Sequence, residues 1–207
     1  MKKYELTAEF IEKWGKKLFR IKALISFGSV EAGELGGYIE KEDNLAHDGN
    51  AWVYGNARVS GNARVSGDAE VSGNAWVYGN AEVSGDARVS GNARVYGNAR
   101  VSGDARVSGD ARVYGDAEVS GNADYLLIGR IGSRFSFTTF FKNKDKGITV
   151  SCGCFLGTIA EFRAKVTDTH GNNKHAKIYN LAADMAELQI LGEEHFDKLN
   201  TNKSESF

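Results

Sequence analysis

The sequence predicts a mainly-β protein: a parallel β-helix of about four to five coils, an N-terminal helix/strand cap and a small α+β C-terminal domain. Three observations predict it. Gly-Asn/Asp-Ala recurs thirteen times from Gly49 to Ala123 at a strict six-residue step. Val occupies every sixth position from Val53 to Val119 without insertion or deletion. The flanks differ in composition and hold every His, Cys, Lys and Thr of the chain. The expected divisions are a cap at 1–48, the repeat at 49–124, a C-terminal module at 125–192 and a flexible tail at 193–207.

Each repeat reads Val-(Ser/Tyr)-Gly-(Asn/Asp)-Ala-X. Strand alternation puts Ala and Val inward and X and Ser/Tyr outward. Gly followed by Asn or Asp makes a corner, since these residues tolerate positive φ. Three short strands and three corners close a triangle, and successive coils hydrogen-bond about 4.8 Å apart. Val53 with Ala57, Val59 with Ala63, and their successors resemble the hexapeptide repeat of left-handed parallel β-helix proteins. That resemblance covers residues 49–124 and implies the left hand.

An 18-residue coil sorts the outward positions into three faces. The third alternates Arg64, Glu82, Arg100 and Glu118, a solvated charge ladder, and the second carries Trp52/Tyr54, Glu70, Arg88 and Arg106. The first stacks Arg58/Ser60 with Trp76, Tyr78, Arg94, Tyr96, Arg112 and Tyr114. This aromatic–cationic strip has the composition of binding hot spots. It is read as a homo-oligomer (dimer or trimer) or partner face; ordinary outward strand residues and ligand or glycan stacking are the alternatives.

Before the repeat, Thr7 is a candidate N-cap for a helix carrying Phe10, Ile11, Trp14 and Leu18. A strand-like run, Leu18–Ile25, and a Gly-rich passage around Gly36-Gly37 follow. Ile39 and Leu45 fall on the six-residue register of Ala51, which starts the helix one coil early. The segment is expected to cap the open end, whose unpaired backbone needs covering.

After the repeat, Tyr125–Ile128, Phe135–Phe141 and Gly147–Cys152 read as three strands. Thr158-Ile159-Ala160-Glu161 is a capping box for a helix with Ile159, Phe162 and Val166 inward, ended by His170-Gly171. Asn172 to Leu191 reads as a second helix with Ile178, Leu181, Met185 and Leu188 on one side, and the module is expected to plug the solenoid.

Candidate chemistry concentrates in this module. Gly129-Arg130-Ile131-Gly132-Ser133-Arg134 offers backbone NH groups, a hydroxyl and two guanidinium groups, a candidate anion cradle. It is neither a Walker loop nor a dinucleotide fingerprint. The candidate ligand set is Arg130, Ser133, Arg134, Thr138, His170 and Lys177, with an ordinary Gly-rich hairpin as the alternative. Cys152, Cys154, His170 and His175 are the one set with zinc-like residue types, but the C-x-C spacing is tight and the histidines straddle Gly171. No cofactor or metal is expected, and buried thiols with surface histidines are the stronger reading.

Net charge is −1, with 8 basic and 9 acidic residues in 1–48, 7 and 9 in 49–124, and 11 and 9 in 125–207. That flat balance argues against general nucleic-acid or anionic-membrane binding. No apolar run approaches about 18 residues, no signal h-region is visible, and two cysteines do not make a disulfide framework. A cytoplasmic location is expected.

Arg20–Leu24, Leu35–Ile39, Ile131–Arg134, Gly153-Cys154-Phe155, Gly157-Thr158 and Thr169-His170-Gly171 resemble bacteriophage and prophage proteins that join Gly-Asn-Ala repeats to this module. The resemblance spans nearly the whole chain, implies no particular activity and suggests a viral accessory protein made in the bacterial cytoplasm. The acyltransferases of the hexapeptide family are a lesser reading. They need a histidine base and protruding loops, whereas the repeat has no histidine and His47 lies only at its start. The expectation is a non-enzymatic scaffold that presents a binding module, with a small anionic or nucleotide-like host signal as ligand. A host-protein inhibitor and a virion component are the alternatives.

Overall fold

The computed structural model describes residues 1–194 and divides into two compact units, Met1–Asn122 and a second beginning at Ala123. The expected tail at 193–207 lies, from residue 195 on, outside the described residues.

The first unit is a parallel β-solenoid. Its two-residue strands run from β4 (Trp52–Val53) to β15 (Glu118–Val119), each pairing an outward residue with an inward valine. Each strand pairs in register with the next coil: Val59 with Val77, Val77 with Val95, Val95 with Val113. Three sheets result, and every repeat alanine and valine from Ala51 to Ala117 is fully buried. At the corners Gly67, φ +69°, lies so close to the next coil that a Cβ would come within 2.9 Å of Gly85 N. The Asn/Asp that follows completes the corner: Asn74 Nδ2 donates to Asn92 Oδ1 (3.3 Å), and Asn92 Nδ2 to Asp110 Oδ1 (3.1 Å).

The cap is all β and 3-10 turn, not helix. Strand β1 (Tyr4–Lys13) pairs antiparallel with β2 (Lys16–Ala23), and β2 with β3 (Leu35–Ile39). Strand β3 then lies parallel to Arg58–Val59, so the hairpin extends one solenoid sheet to seven strands. Phe10, Ile11, Trp14 and Leu18 fit a helical period, but sheet pairing gives this segment long-range backbone partners that override local spacing. Thr7 is no helix cap; its Oγ1 accepts from Glu9 N (3.2 Å) inside a register slip between Leu6 and Phe10. Ile39 and Leu45 do begin an earlier coil, but in the valine column: they pair with Val59 and Val65, twenty residues on.

This arrangement meets the carbonyls that the first coil turns toward its open end. Tyr38 N, Glu40 N and Ala46 N donate to Ala57 O, Val59 O and Val65 O. Buried Asn44 donates Nδ2 to Gly61 O (3.1 Å) and Ala63 O (2.8 Å). Buried Lys3 donates Nζ to Gly49 O (3.2 Å) and Ala51 O (2.9 Å). Its burial holds the ammonium pKa down at about 8, against the pull of Asp48 and Asp68.

The second unit contains four antiparallel strands, β16 (Tyr125–Ile131), β17 (Ser136–Lys142), β18 (Ile148–Cys152) and β19 (Phe155–Thr158), in sequential order. The fourth strand escaped the sequence reading because only Gly153 and Cys154 separate it from β18. Helix α1 (Ile159–His170) starts on the expected capping box: Glu161 N donates to Thr158 Oγ1 (3.3 Å) and Thr158 N to Glu161 Oε2 (2.8 Å). Helix α2 (Lys174–Leu191) presents the opposite face from the one expected. Ala176, Tyr179, Ala182, Ala183, Ala186 and Ile190 pack inward with Phe140, Val150 and Phe162. Leu181 (63%), Met185 (57%) and Leu188 (46%) are exposed. Alanines let α2 approach closely, and Arg163 of α1 bridges it through Asp184 (2.7 Å) and Glu187 (2.6 Å). No described helix is long and apolar enough to cross a membrane.

Candidate functional site

The end of β16 and the loop joining it to β17 carry Arg130 (φ 50°), Gly132 (φ 72°) and Phe135 (φ 47°) in left-handed backbone. Gly132 has no room for a Cβ, which would coincide with the Tyr179 hydroxyl. That contact seats the loop on α2. Beside it, the Gly153-Cys154 turn brings Arg134 Nη1 within 3.7 Å of where a Gly153 Cβ would stand. Loop, turn and the C-terminal half of α1 enclose a cleft of about 190 Å³. Ser133, Arg134, Lys165, Thr169, His170 and Tyr179 supply its polar lining, Phe155, Phe162 and Val166 its apolar lining.

The electrostatics of this cleft favour an anion. No carboxylate is among its described lining residues, whereas Arg134 and Lys165 bring two fixed positive charges. Burial pushes Tyr179 up to about 12; neighbouring Cys152 adds to the rise and Arg134 opposes it. The phenol therefore keeps its proton at neutral pH and remains a donor. His170 lies against the Tyr179 ring, centroids 5.8 Å apart, and its ring centroid is 5.7 Å from that of His175.

Of the ligand residues expected from sequence, Ser133, Arg134 and His170 meet in this cleft. Thr138 does not: it is fully buried in β17 and donates to Cys152 Sγ at 3.3 Å. Arg130 and Lys177 are exposed but do not line the cleft: Arg130 stands on β16 within the register shift between Ile128 and Ile131, and Tyr179 is the α2 residue that reaches the cleft. Lys165, Thr169 and Tyr179 were missed. The signal for the first two was their four-residue spacing on one side of α1. Cys152 and Cys154 do not share a strand face, because Cys154 lies in the tight turn; among the described residues no group of three or more His, Cys, Asp or Glu gathers as a metal site.

The first unit holds a second cavity. The β1–β2 turn, Trp14-Gly15, has positive φ at both residues, the type I′ geometry of two-residue hairpins. Trp14 is a poor residue there, since a left-handed L-residue costs about 1–2 kcal/mol. Its indole stacks on Trp76, which is therefore buried (7%) and not open for partner contact as expected from sequence. Trp76 Nε1 donates to Ser60 Oγ (3.1 Å). Tyr78, Tyr96 and Tyr114 continue the column with near-parallel rings 4.7 and 4.5 Å apart, so their faces pack on one another and their edges face outward. Burial raises the pKa of Tyr78 and Tyr96, the latter to about 12 with help from its tyrosine neighbours. Across Trp76 from this column lies a groove of about 530 Å³, walled by the hairpin tip and lined by Arg58, Arg94 and Arg112.

A family model described as YdcK β-solenoid repeat matches residues 51–67, 57–73, 63–79, 87–103, 93–109 and 105–121. No curated protein matches the chain. The matched segments fall within the coils β4–β15 and leave out the repeat of β9 (Glu82–Val83), and the chain is a β-solenoid protein that carries repeats similar to those of YdcK.

Proposed function

We infer that the protein is a non-enzymatic β-solenoid scaffold whose C-terminal module binds a small anionic ligand, with a nucleotide phosphate as the fitting class. One observation carries this reading: the cleft gathers Arg134, Lys165, Ser133, Thr169, His170 and the protonated Tyr179 around one space with no carboxylate among them. Charge-assisted bonds from guanidinium and ammonium groups, joined by hydroxyl donors, are the common chemistry of phosphate capture. At about 190 Å³ the cleft is smaller than the roughly 300–1,000 Å³ of pockets that engulf a drug-sized ligand. It suits the phosphate end of a nucleotide, with the rest projecting outward. The likeness to phage proteins supports a role in the infected bacterial cytoplasm, where sequestering a nucleotide signal of the host would blunt a defence pathway.

A thermal-shift panel of mono-, di- and cyclic nucleotides tests this. A melting rise with one of them, abolished by Arg134→Ala and Lys165→Ala, supports the reading; no rise with any overturns it. The competing reading is self-association or a host-protein contact along the tyrosine column, favoured by the half-exposed edges of Tyr78 and Tyr96. Mass in solution and partner capture, each compared with Tyr96→Ala, separate it from ligand binding.

A further inference from the structure

We propose that the groove beside the β1–β2 turn binds an acidic oligosaccharide, with Trp14 as the stacking platform for a sugar ring and Lys13, Arg58 and Arg94 as partners for its carboxylates. Three independent features point to it. Trp14 is held in left-handed backbone and is 75% exposed, although its turn position favours Asn or Gly. Backbone strain of this kind clusters at ligand clamps and active sites. One face of the indole rests on Trp76 and leaves the rest of the ring at the mouth of the groove.

The charges are the second feature. On the other two solenoid faces arginines meet glutamates one coil away, Arg88 with Glu70 (3.7 Å) and Arg100 with Glu82 (3.4 Å). On this face Arg58 and Arg94 stand on either side of Trp76 in the same column, and neither has a carboxylate partner among the described residues. The buried Nε of Arg58 has no hydrogen-bond acceptor. Lys13, from the hairpin, adds a third cation on the opposite wall.

The third feature separates saccharide from nucleic acid. The Asn74–Asn92–Asp110 corner ladder forms part of the groove and offers amide and carboxylate acceptors for hydroxyl groups. Asp110 accepts from a sugar hydroxyl, a donor that the deoxyriboses inside a DNA strand do not offer. The cationic column is short, and the net charge of −1 supplies no extended track for a polyanionic strand. Arg58 and Arg94 lie two coils apart, about 9.6 Å at the strand spacing, close to the distance between alternate rings of a uronate chain.

Calorimetry and tryptophan fluorescence with tetragalacturonate, tetramannuronate, neutral cellotetraose and a thymidylate tetranucleotide test the proposal on the full chain. At least one uronate tetramer is expected to bind and change the fluorescence, with cellotetraose about tenfold weaker or worse. Trp14→Asn, compatible with the turn, and Arg94→Ala, remote from it, should each weaken uronate binding by about fivefold to tenfold. The proposal is overturned if neither uronate binds, if cellotetraose binds as well, if the tetranucleotide binds more tightly than both, or if both variants retain wild-type affinity.

Discussion

The indole of Trp14 lies flat on that of Trp76, with ring centroids 4.1 Å apart and planes 12° apart. The contact fastens the hairpin turn to the solenoid wall and heads the aromatic column that continues through Tyr78 at 4.7 Å. Two indoles so arranged couple their electronic transitions, so the wild-type protein should show an exciton couplet in far-UV circular dichroism. Trp14→Asn should abolish it. Loss of the stack and relief of the positive-φ strain oppose one another, and the unfolding free energy should change by no more than about 1 kcal/mol. A loss above about 3 kcal/mol would mean that the hairpin depends on the indole for its fold.

The buried ammonium of Lys3 makes solenoid stability depend on alkaline pH. Its folded pKa, about 8, lies below the ordinary 10.5, so the unfolded chain binds more protons between those values. Stability should therefore rise from pH 8 toward 10, by at most about 3 kcal/mol. Tyr96 acts in the opposite sense, because its pKa is raised to about 12 and the folded state then binds more protons above pH 10. Urea midpoints across this range should pass through a maximum near pH 10. Lys3→Met should remove the rising limb and leave the fall; a rise that survives the substitution would assign it to another group.

The corners offer a paired test of backbone approach. Gly55 and Gly67 both have positive φ, at +57° and +69°, so alanine at either carries the same conformational strain of about 1–2 kcal/mol. A Cβ at Gly55 would meet nothing within 4 Å, whereas one at Gly67 would come within 2.9 Å of Gly85 N. Backbone in a stacked coil cannot swing aside as a side chain can. Gly67→Ala should cost at least about 1 kcal/mol more than Gly55→Ala, measured by urea midpoint at unchanged m. Equal costs would show that coil spacing is more elastic than the stacking implies.

The solenoid was legible because each repeat position has a single structural role. Val and Ala fill, Gly turns, and Asn or Asp pairs with its copy one coil away, as Asn74 does with Asn92. Where one stretch of sequence suits two structures, legibility fails. Phe10, Ile11, Trp14 and Leu18 satisfy a helical period, yet they form a hairpin, with Phe10 and Ile11 on β1, Trp14 in the turn and Leu18 on β2, because β3 offers it a sheet edge. Arg134 and Ser133 could be read from a Gly-rich loop and His170 from a helix end. Tyr179, Lys165 and Thr169 reach the same cleft only through the packing of α1 and α2 over the sheet, which spacing along the chain does not specify.

Helix α2 gives the sharpest reversal, and it can be tested with two substitutions. By hydrophobicity its core face would be Ile178, Leu181, Met185 and Leu188; by packing it is the alanine row with Tyr179 and Ile190. Leu181 is largely exposed, so Leu181→Lys should shift stability by no more than about 0.5 kcal/mol. Ala183 is fully buried in the close approach of α2 to the sheet, so Ala183→Leu adds volume with nowhere to go and should cost about 1–3 kcal/mol. Loss of α-helical signal in far-UV circular dichroism, which α1 and α2 supply among the described residues, reports both. The reverse ranking, with a severe loss at Leu181 and tolerance at Ala183, would turn the helix over. It would also withdraw Tyr179 from the cleft, because the face that buries Ala183 is the face that carries the phenol to Gly132.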